Sequence, residues 1–492
     1  MSPWLILACV GVYFSLLLSI AWVTGRRADE AGYFLGNKQS PWYIVAFGLI
    51  GDSLSGVTYL SVPGQVAKDK CSYLQVILGY VLGYILIAQI LLPLYYRLNL
   101  TSIYSYLGER FGRSAELTGS AFFLLSRTLG AAARLYLAAN VFQTFVFTPL
   151  GLPFAAAVTG IIGLILLYTW RGGIKTLVWT DSFQSLFLVL GVVLSITFIA
   201  RDLNLGPSAL IQEVLNSPMS QVFVWDWRAA DNFWKQFLSG AAIAVVMTGL
   251  DQNNMQKSLS CRSLGAAQKN LYSFTVIMVL VNACFLALGV MLYRYMEVRD
   301  LALPEQTDQL FATVALQHLG PLAAGVFVLG LTAATFNSAD SVLTTLTTSF
   351  CIDFLGFERR SDLTPEEQTR RRQWTHFGFA VVLLATILIF KAVNQGAVIK
   401  LVLQMAGYTY GPLLGLFALG LFTRLRVGGP RVPVVCVIAP ILCAVLAMNS
   451  KQWLNGYVFG FELLILNGLL VAGGLVVLAR KRDSEPTFPK RT

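Results

Sequence analysis

Charge is scarce in this chain. Only 12% of its 492 residues are Asp, Glu, Lys or Arg, about half the share found in an ordinary soluble domain. So few charges cannot cover a water-facing surface of this size, which excludes a large soluble fold and leaves lipid as the surrounding medium. Histidine is nearly missing, at two residues. No HExxH, GxSxG or Walker A string occurs, nor any Ser/His/Asp grouping, so an enzyme working within the membrane has no support. The seven cysteines, Cys9, Cys71, Cys261, Cys284, Cys351, Cys436 and Cys443, form no CxxC or Cys/His pattern. They read as small core residues, and no structural metal is expected. The longest polar stretch, 201 to 232, is too short for a core of its own, so whatever the protein does is done within the bilayer.

What is present is apolar: 56% of residues are hydrophobic and the mean hydropathy is +0.66. A hydrocarbon layer about 30 Å thick takes roughly 20 apolar residues per helix. Apolar runs bounded by polar breaks predict an all-α polytopic membrane protein with about 13 transmembrane helices. They fall near 3–24, 41–66, 73–97, 117–146, 152–170, 176–200, 233–257, 270–296, 320–350, 376–394, 396–422, 431–449 and 457–479. The first, Trp4 to Thr24, has neither a basic region before it nor a cleavage signal after it and reads as a retained helix.

Positive residues set the orientation. With the N-terminus outside, 24 Lys and Arg fall on the inner side, Lys257 among them, and ten on the outer side. This predicts an outside N-terminus and a cytoplasmic C-terminus. It also accounts for the net charge of +11 without a nucleic-acid partner. Short loops and few glycosylation sequons point to a bacterial inner membrane.

Ionisable residues at membrane depth are costly and therefore functional candidates. Asp52 lies in Gly48-Leu-Ile-Gly51-Asp52-Ser53-Leu54-Ser55-Gly56. Glycine and serine make this a poor continuous helix, and a break here would aim free carbonyls at a bound ion or solute. A second cluster is Ala333-Ala334-Thr335-Phe336-Asn337-Ser338-Ala339-Asp340-Ser341. On a helix, Ala334, Asn337, Ser338 and Ser341 share one face, and such oxygen donors suit a hard cation, naturally Na+. Asp181 opens its span, where it is either an N-terminal electrostatic partner or part of a second cation site or exit relay. Asp251 near a span end reads as a cap or loop anchor. Arg127 and Arg134 are seven residues apart on one helix face. Each pairs with a buried Asp, or one binds the carboxylate of an anionic solute. His318 and His376, at span ends, default to surface or interface roles.

Together these strings resemble the sodium:solute symporter family, in a bacterial, solute carrier 5-like form. The resemblance rests on Trp179-Thr-Asp181-Ser-Phe-Gln184 after Arg171-Gly-Gly, on Ala334-x-x-Asn337-Ser338-x-Asp340-Ser341, and on Ser349-Phe-Cys-Ile-Asp353. Tyr33-Phe-Leu-Gly-Asn-Lys38-Gln-Ser-Pro41-Trp42 and Gln256-Lys257-Ser-Leu with Arg262-Ser-Leu-Gly-Ala-Ala-Gln268-Lys269 agree with it. It covers residues 30 to about 425. It implies a LeuT-like fold of 5+5 inverted repeats, with solute bound at midplane between broken core helices 1 and 6. The whole of 1–492 is then one transporter domain: an extra helix at 3–24, repeats at 41–200 and 233–422, two further helices at 431–479 and a cytoplasmic tail at 480–492.

By position, the resemblance implies a central sodium site made by the carbonyls of Gly51, Leu54 and Ala334 with the side chains of Asn337 and Ser338. The family usually has two hydroxyl residues at that pair; Asn337 replaces the first, and its amide oxygen still ligates. A second cation site would use Asp181, Asp340 and Ser341, with Asp340 unusual for the pattern. Solute candidates are Asp52, Ser53, Thr58, Arg127, Thr248 and Gln404. Sugar-transporting members carry Asn, Tyr and Gln where this chain has Thr58, Ala244, Met247 and Thr248, which disfavours a galactose-type site. Members that bind sialic acid use an Arg near the position of Arg127. The expected activity is sodium-coupled symport of a small polar organic solute, a carboxylate or acidic sugar such as sialic acid, by alternating access. Proton-coupled symport of a neutral sugar or other metabolite through Asp52, Asp181 or Asp340 is the alternative; a receptor lacks an output segment, and a channel lacks rings of pore-lining charge. The expected partners are Na+, the solute and the bilayer, with no cofactor and a monomeric working unit.

Overall fold

The computed structural model describes residues 3–25, 30–227, 229, 231–360, 362–393, 405–425, 427–457 and 459–479. Gln404 falls outside them, as does the side chain of Ser338. The described residues form helices, with a lone β-bridge between Ser40 and Cys261. We label the principal helices α1 (Pro3–Gly25), α2 (Trp42–Ser53), α3 (Gly56–Asp69), α4 (Tyr73–Arg97), α5 (Arg113–Phe142), α6 (Phe154–Asp202) and α7 (Phe233–Gly249). They continue as α8 (Gln252–Leu259), α9 (Leu264–Val298), α10 (Gly320–Ser349), α11 (Pro365–Val393), α12 (Gly411–Phe422), α13 (Arg431–Trp453) and α14 (Leu463–Val477). Among the described residues, seven helices are long and apolar enough to cross a membrane. Two bent pairs and three shorter apolar helices add to them.

Both bends occur where the local sequence cannot sustain a helix. The Gly/Ser run around Asp52 ends α2 at Ser53. Leu54 leaves the helical region with ψ 76°, Ser55 is extended, and α3 sets off at 57° to α2. The second bend separates α7 from α8 by 63°. There a wide turn over Val245–Gly249 is followed by Leu250 and an extended Asp251, whose carboxylate accepts from the N–H groups of Asn253 and Asn254. Asp251 is therefore the N-cap of α8, one of the roles expected for it. The runs at 152–170 and 176–200 are the two arms of α6, Phe154–Trp170 and Gly173–Asp202, which part at a non-helical Gly173. Its φ of 51° and ψ of −149° suit glycine, and a methyl there would lie 2.6 Å from Tyr33 Cα.

Small residues let the bent helices nest closely. A methyl on Gly79 of α4 would lie 2.9 Å from the Phe237 carbonyl carbon, and one on Gly240 of α7 would lie 3.1 Å from Val76 Cα. Such glycine seams suit helices that associate in lipid through close backbone approach and van der Waals packing. α10 runs past the first bend against α6 and α2, with its 331–349 stretch buried wherever described. α1 packs outside this core against α6 and α10.

Candidate functional site

The first bend and the middle of α10 are in direct contact. A methyl on Gly51 would lie 2.8 Å from Asn337 Cγ, so only hydrogen at that position admits the Asn side chain. The Gly51 N–H donates to Ser185 Oγ at 2.9 Å, and Asn337 Nδ2 donates to the Asp181 carbonyl at 3.2 Å. Asn337 Oδ1 is buried and accepts no hydrogen bond among the described residues. α10 thus brings Asn337 to the bend that carries Gly51 and Leu54. An amide oxygen buried without a donor costs about 1–3 kcal/mol, and a cation beside it would remove that cost.

The region expected for a second cation holds a residue that was assigned to the cytoplasmic side. Lys257 is 1% exposed. Its ammonium donates to Asp52 Oδ2, to Asp181 Oδ2 and, at 2.7 Å, to Ser341 Oγ. Asp340 stands apart, accepting from Tyr168 Oη at 2.7 Å, from Gln184 Nε2 at 3.4 Å and from the Ser341 N–H at 2.6 Å. A signal for Lys257 was present: α8 is almost wholly polar, yet every one of its residues is buried. The expected span 233–257 ends on this lysine and so sets it at the inner end, whereas the bend before Gln252 turns it inward. Losing one inner-side charge does not reverse the Lys/Arg bias.

Arg127 is committed in the same way. Its Nε lies 2.5 Å from Asp251 Oδ2 and its Nη2 2.6 Å from Asp251 Oδ1, while Tyr410 Oη donates to the same carboxylate at 2.8 Å. Of the two outcomes foreseen for this arginine, pairing with a buried Asp is the one observed. Arg127, Asp52, Ser53, Thr58 and Thr248 all border a cavity of about 90 Å³. Arg134 borders it too, with Tyr73, Tyr80 and Tyr84. It is half-buried, and no hydrogen bond or ion pair joins it to the described residues. Asp52, bound to Lys257, and Arg127, bound to Asp251, reach the cavity with their charges already answered; Ser53, Thr58 and Thr248 contribute hydroxyls to its wall.

His376 differs from expectation. It is buried between Thr169 and Thr347, whose hydroxyls lie 2.9 Å from Nε2 and Nδ1. Neither hydroxyl position is apparent from a histidine at a span end. Asp353, at the end of the quoted family string, accepts from Ser120 and Ser349 at 2.7 Å and so ties α5 to the end of α10.

The profile of the sodium:solute symporter family matches residues 33–428. The sodium-coupled monocarboxylate transporter 1 of Mus musculus is 26% identical over 426 residues, 85% of this chain and 67% of its own. The chain thus spans about two thirds of that relative's length. The sodium/sialic acid symporter NanT of Aliivibrio fischeri is 26% identical over 490 residues, 94% of this chain and 90% of its own. In three dimensions the chain is similar to a substrate-bound, outward-open Na+-coupled sialic acid symporter, with TM-score 0.80, 20% identity, and 96% and 98% of the two chains covered. It is similar also to Mhp1, a nucleobase-cation-symport-1 family transporter, with TM-score 0.54, 12% identity, and 90% and 93% covered. These likenesses establish an all-α, LeuT-like transporter fold, as the resemblance implied. The profile match runs over most of the 492 residues, and the chain belongs to the sodium:solute symporter family, whose members are secondary transporters and not enzymes.

Proposed function

We propose that this integral membrane protein carries a small organic carboxylate inward with Na+, and that the ion sits where α10 crosses the bend between α2 and α3. The site is read from the family resemblance as the Gly51, Leu54 and Ala334 carbonyls with the Asn337 and Ser338 side chains, of which Ser338 lies outside the described side chains. The observation that carries the reading is the buried Asn337 Oδ1, with no donor among the described residues, on a side chain that packs against Gly51 at a helix break. Sodium there ties α10 to the bend and preorganises Ser53 to Thr58 for solute, which makes solute affinity depend on Na+. The electrical part of the driving force is about 2.3 kcal/mol per charge per 100 mV.

For the solute, the reading is supported by Arg134. Arg127 has its fork filled by Asp251, whereas Arg134 presents a guanidinium at the cavity beside three tyrosines and Thr248. A guanidinium with no anion of its own among the described residues, facing a cavity, is suited to a carboxylate. The relatives named for monocarboxylates and for sialic acid transport solutes of this chemistry. The same reading places the repeats at 41–200 and 233–422, the N-terminus outside and the C-terminus in the cytoplasm of a bacterial inner membrane, with a monomer as the working unit.

The test is thermal denaturation of the purified protein with N-acetylneuraminate, lactate or galactose, each in NaCl and in choline chloride. A ligand at 100 times its Kd stabilises by about 2.7 kcal/mol. The expected outcome is stabilisation by a carboxylate in NaCl alone. Equal stabilisation in choline refutes sodium coupling and turns attention to protons at the buried aspartates; stabilisation by galactose alone refutes the carboxylate.

A further inference from the structure

We propose that Lys257 is a built-in cation, whose ammonium fills the place of a second coupling ion so that each chain binds one Na+. The inference rests on the central sodium site proposed above. Three observations carry it. Asp52 Oδ2, Asp181 Oδ2 and Ser341 Oγ converge on one point from α2, α6 and α10, and two carboxylates with a hydroxyl are a donor set for a hard monovalent cation. That point is occupied: an ammonium has three N–H groups, and each of the three oxygens takes one. Finally, the occupant cannot diffuse away, because it is anchored in α8, whose eight residues are all buried.

Asp340 does not reopen the place for a mobile ion. It has three donors of its own, from Tyr168, Gln184 and the Ser341 backbone. The filled cage also borders the central site. Asp52 follows Gly51 in the chain, Ser341 lies one turn beyond Asn337, and Asn337 donates to the Asp181 carbonyl. An ammonium in that position supplies the cage with its positive charge in every conformation in which α8 stays docked, so transport needs no second ion to hold Asp52 and Asp181 together. Its removal leaves two buried carboxylates beside a hydroxyl, an arrangement that recruits a cation from solution.

The experiment is equilibrium binding of radioactive sodium to the purified full-length protein in detergent, counted per chain. One sodium is expected in the wild type and two in Lys257→Met, with the second lost again in the double variant Lys257→Met/Asp181→Asn. Lys257→Gln, which retains a donor for one of the carboxylates, provides a gentler second variant and is also expected to bind two. Two sodium ions in the wild type overturn the inference, as does a single ion in a folded neutral variant. The Asn337→Ala variant separates the two readings. If it abolishes the wild-type ion, the central site stands whatever becomes of Lys257; if the wild type binds no sodium, the central site fails and the inference fails with it.

Discussion

Substituting Gly51 with alanine tests the central site with a single methyl group. That methyl would stand 2.8 Å from both Asn337 Cγ and Ser185 Oγ, closer than unstrained carbon contacts allow. If the surroundings held firm, overpacking would cost about 1–3 kcal/mol of stability. The Asn337 amide is the softest neighbour, because among the described residues its Nδ2 is held by one hydrogen bond of 3.2 Å and its Oδ1 by none. It therefore swings away and takes its oxygen out of the ion site. Losing one polar contact to a charged group costs about 1.5–3 kcal/mol, or roughly a 10- to 150-fold rise in the sodium dissociation constant at about 1.4 kcal/mol per decade. The measurement is the NaCl concentration that half-completes the rise in melting temperature, with choline chloride holding ionic strength constant. Shortening the obstructing side chain should repair the damage: Gly51→Ala/Asn337→Ser, which restores the hydroxyl usual in the family, is expected to regain most of the lost affinity. An unchanged midpoint in Gly51→Ala, or a double variant no better than the single, refutes the reasoning.

Three further outcomes follow from the charged groups. Arg134→Gln should weaken carboxylate binding by roughly 10- to 150-fold while the sodium midpoint measured without solute stays in place; loss of both together would show Arg134 to be structural. Asp251→Asn keeps a cap for α8 but strands the Arg127 guanidinium, at about 3–5 kcal/mol for an unpaired buried charge. Its melting temperature should fall well below that of Arg127→Met/Asp251→Asn, and equal values would refute the pairing argument. By contrast, the Arg299–Asp202 pair at 2.7 Å is partly open to water, its side chains 46% and 41% exposed, so Asp202→Asn should change the melting temperature little.

The fold was readable because lipid imposes a strict grammar. Each crossing needs an apolar run, and each interruption shows as glycine, serine or charge, which is how the bend after Ser53 was anticipated from Gly51, Ser53, Ser55 and Gly56. The carboxylates were also legible, since Asp52, Asp181 and Asp340 stand out against apolar neighbours. Their partners were not. Asp181 meets Lys257 across 76 residues, and Arg127 meets Asp251 across 124. Periodicity carries no information about such distances. Lys257 counts with the inner-side residues because it ends the expected span 233–257; the 63° bend that turns the stretch from Gln252 into the interior is a tertiary event. Arg134 could not be told from Arg127 while Asp251 was unplaced, because the two arginines share one helix face and differ only in which of them finds an anion.

The outermost helix has a consequence of its own. α1 carries exposed tryptophans toward both ends, Trp4 and Trp22, residues that settle at the two headgroup layers. Its 23 residues span about 34 Å, slightly more than a typical hydrocarbon layer, so its tilt answers to the thickness of the bilayer. Midway along it the Phe14 ring meets the Phe336 ring edge-on, with centroids 4.4 Å apart, and Phe336 is the chain neighbour of Asn337. On the sodium site proposed above, this contact predicts that the sodium midpoint drifts as acyl chains are lengthened in reconstituted vesicles, and that Phe14→Ala makes it indifferent to them; a midpoint that ignores chain length in the unaltered protein refutes the link.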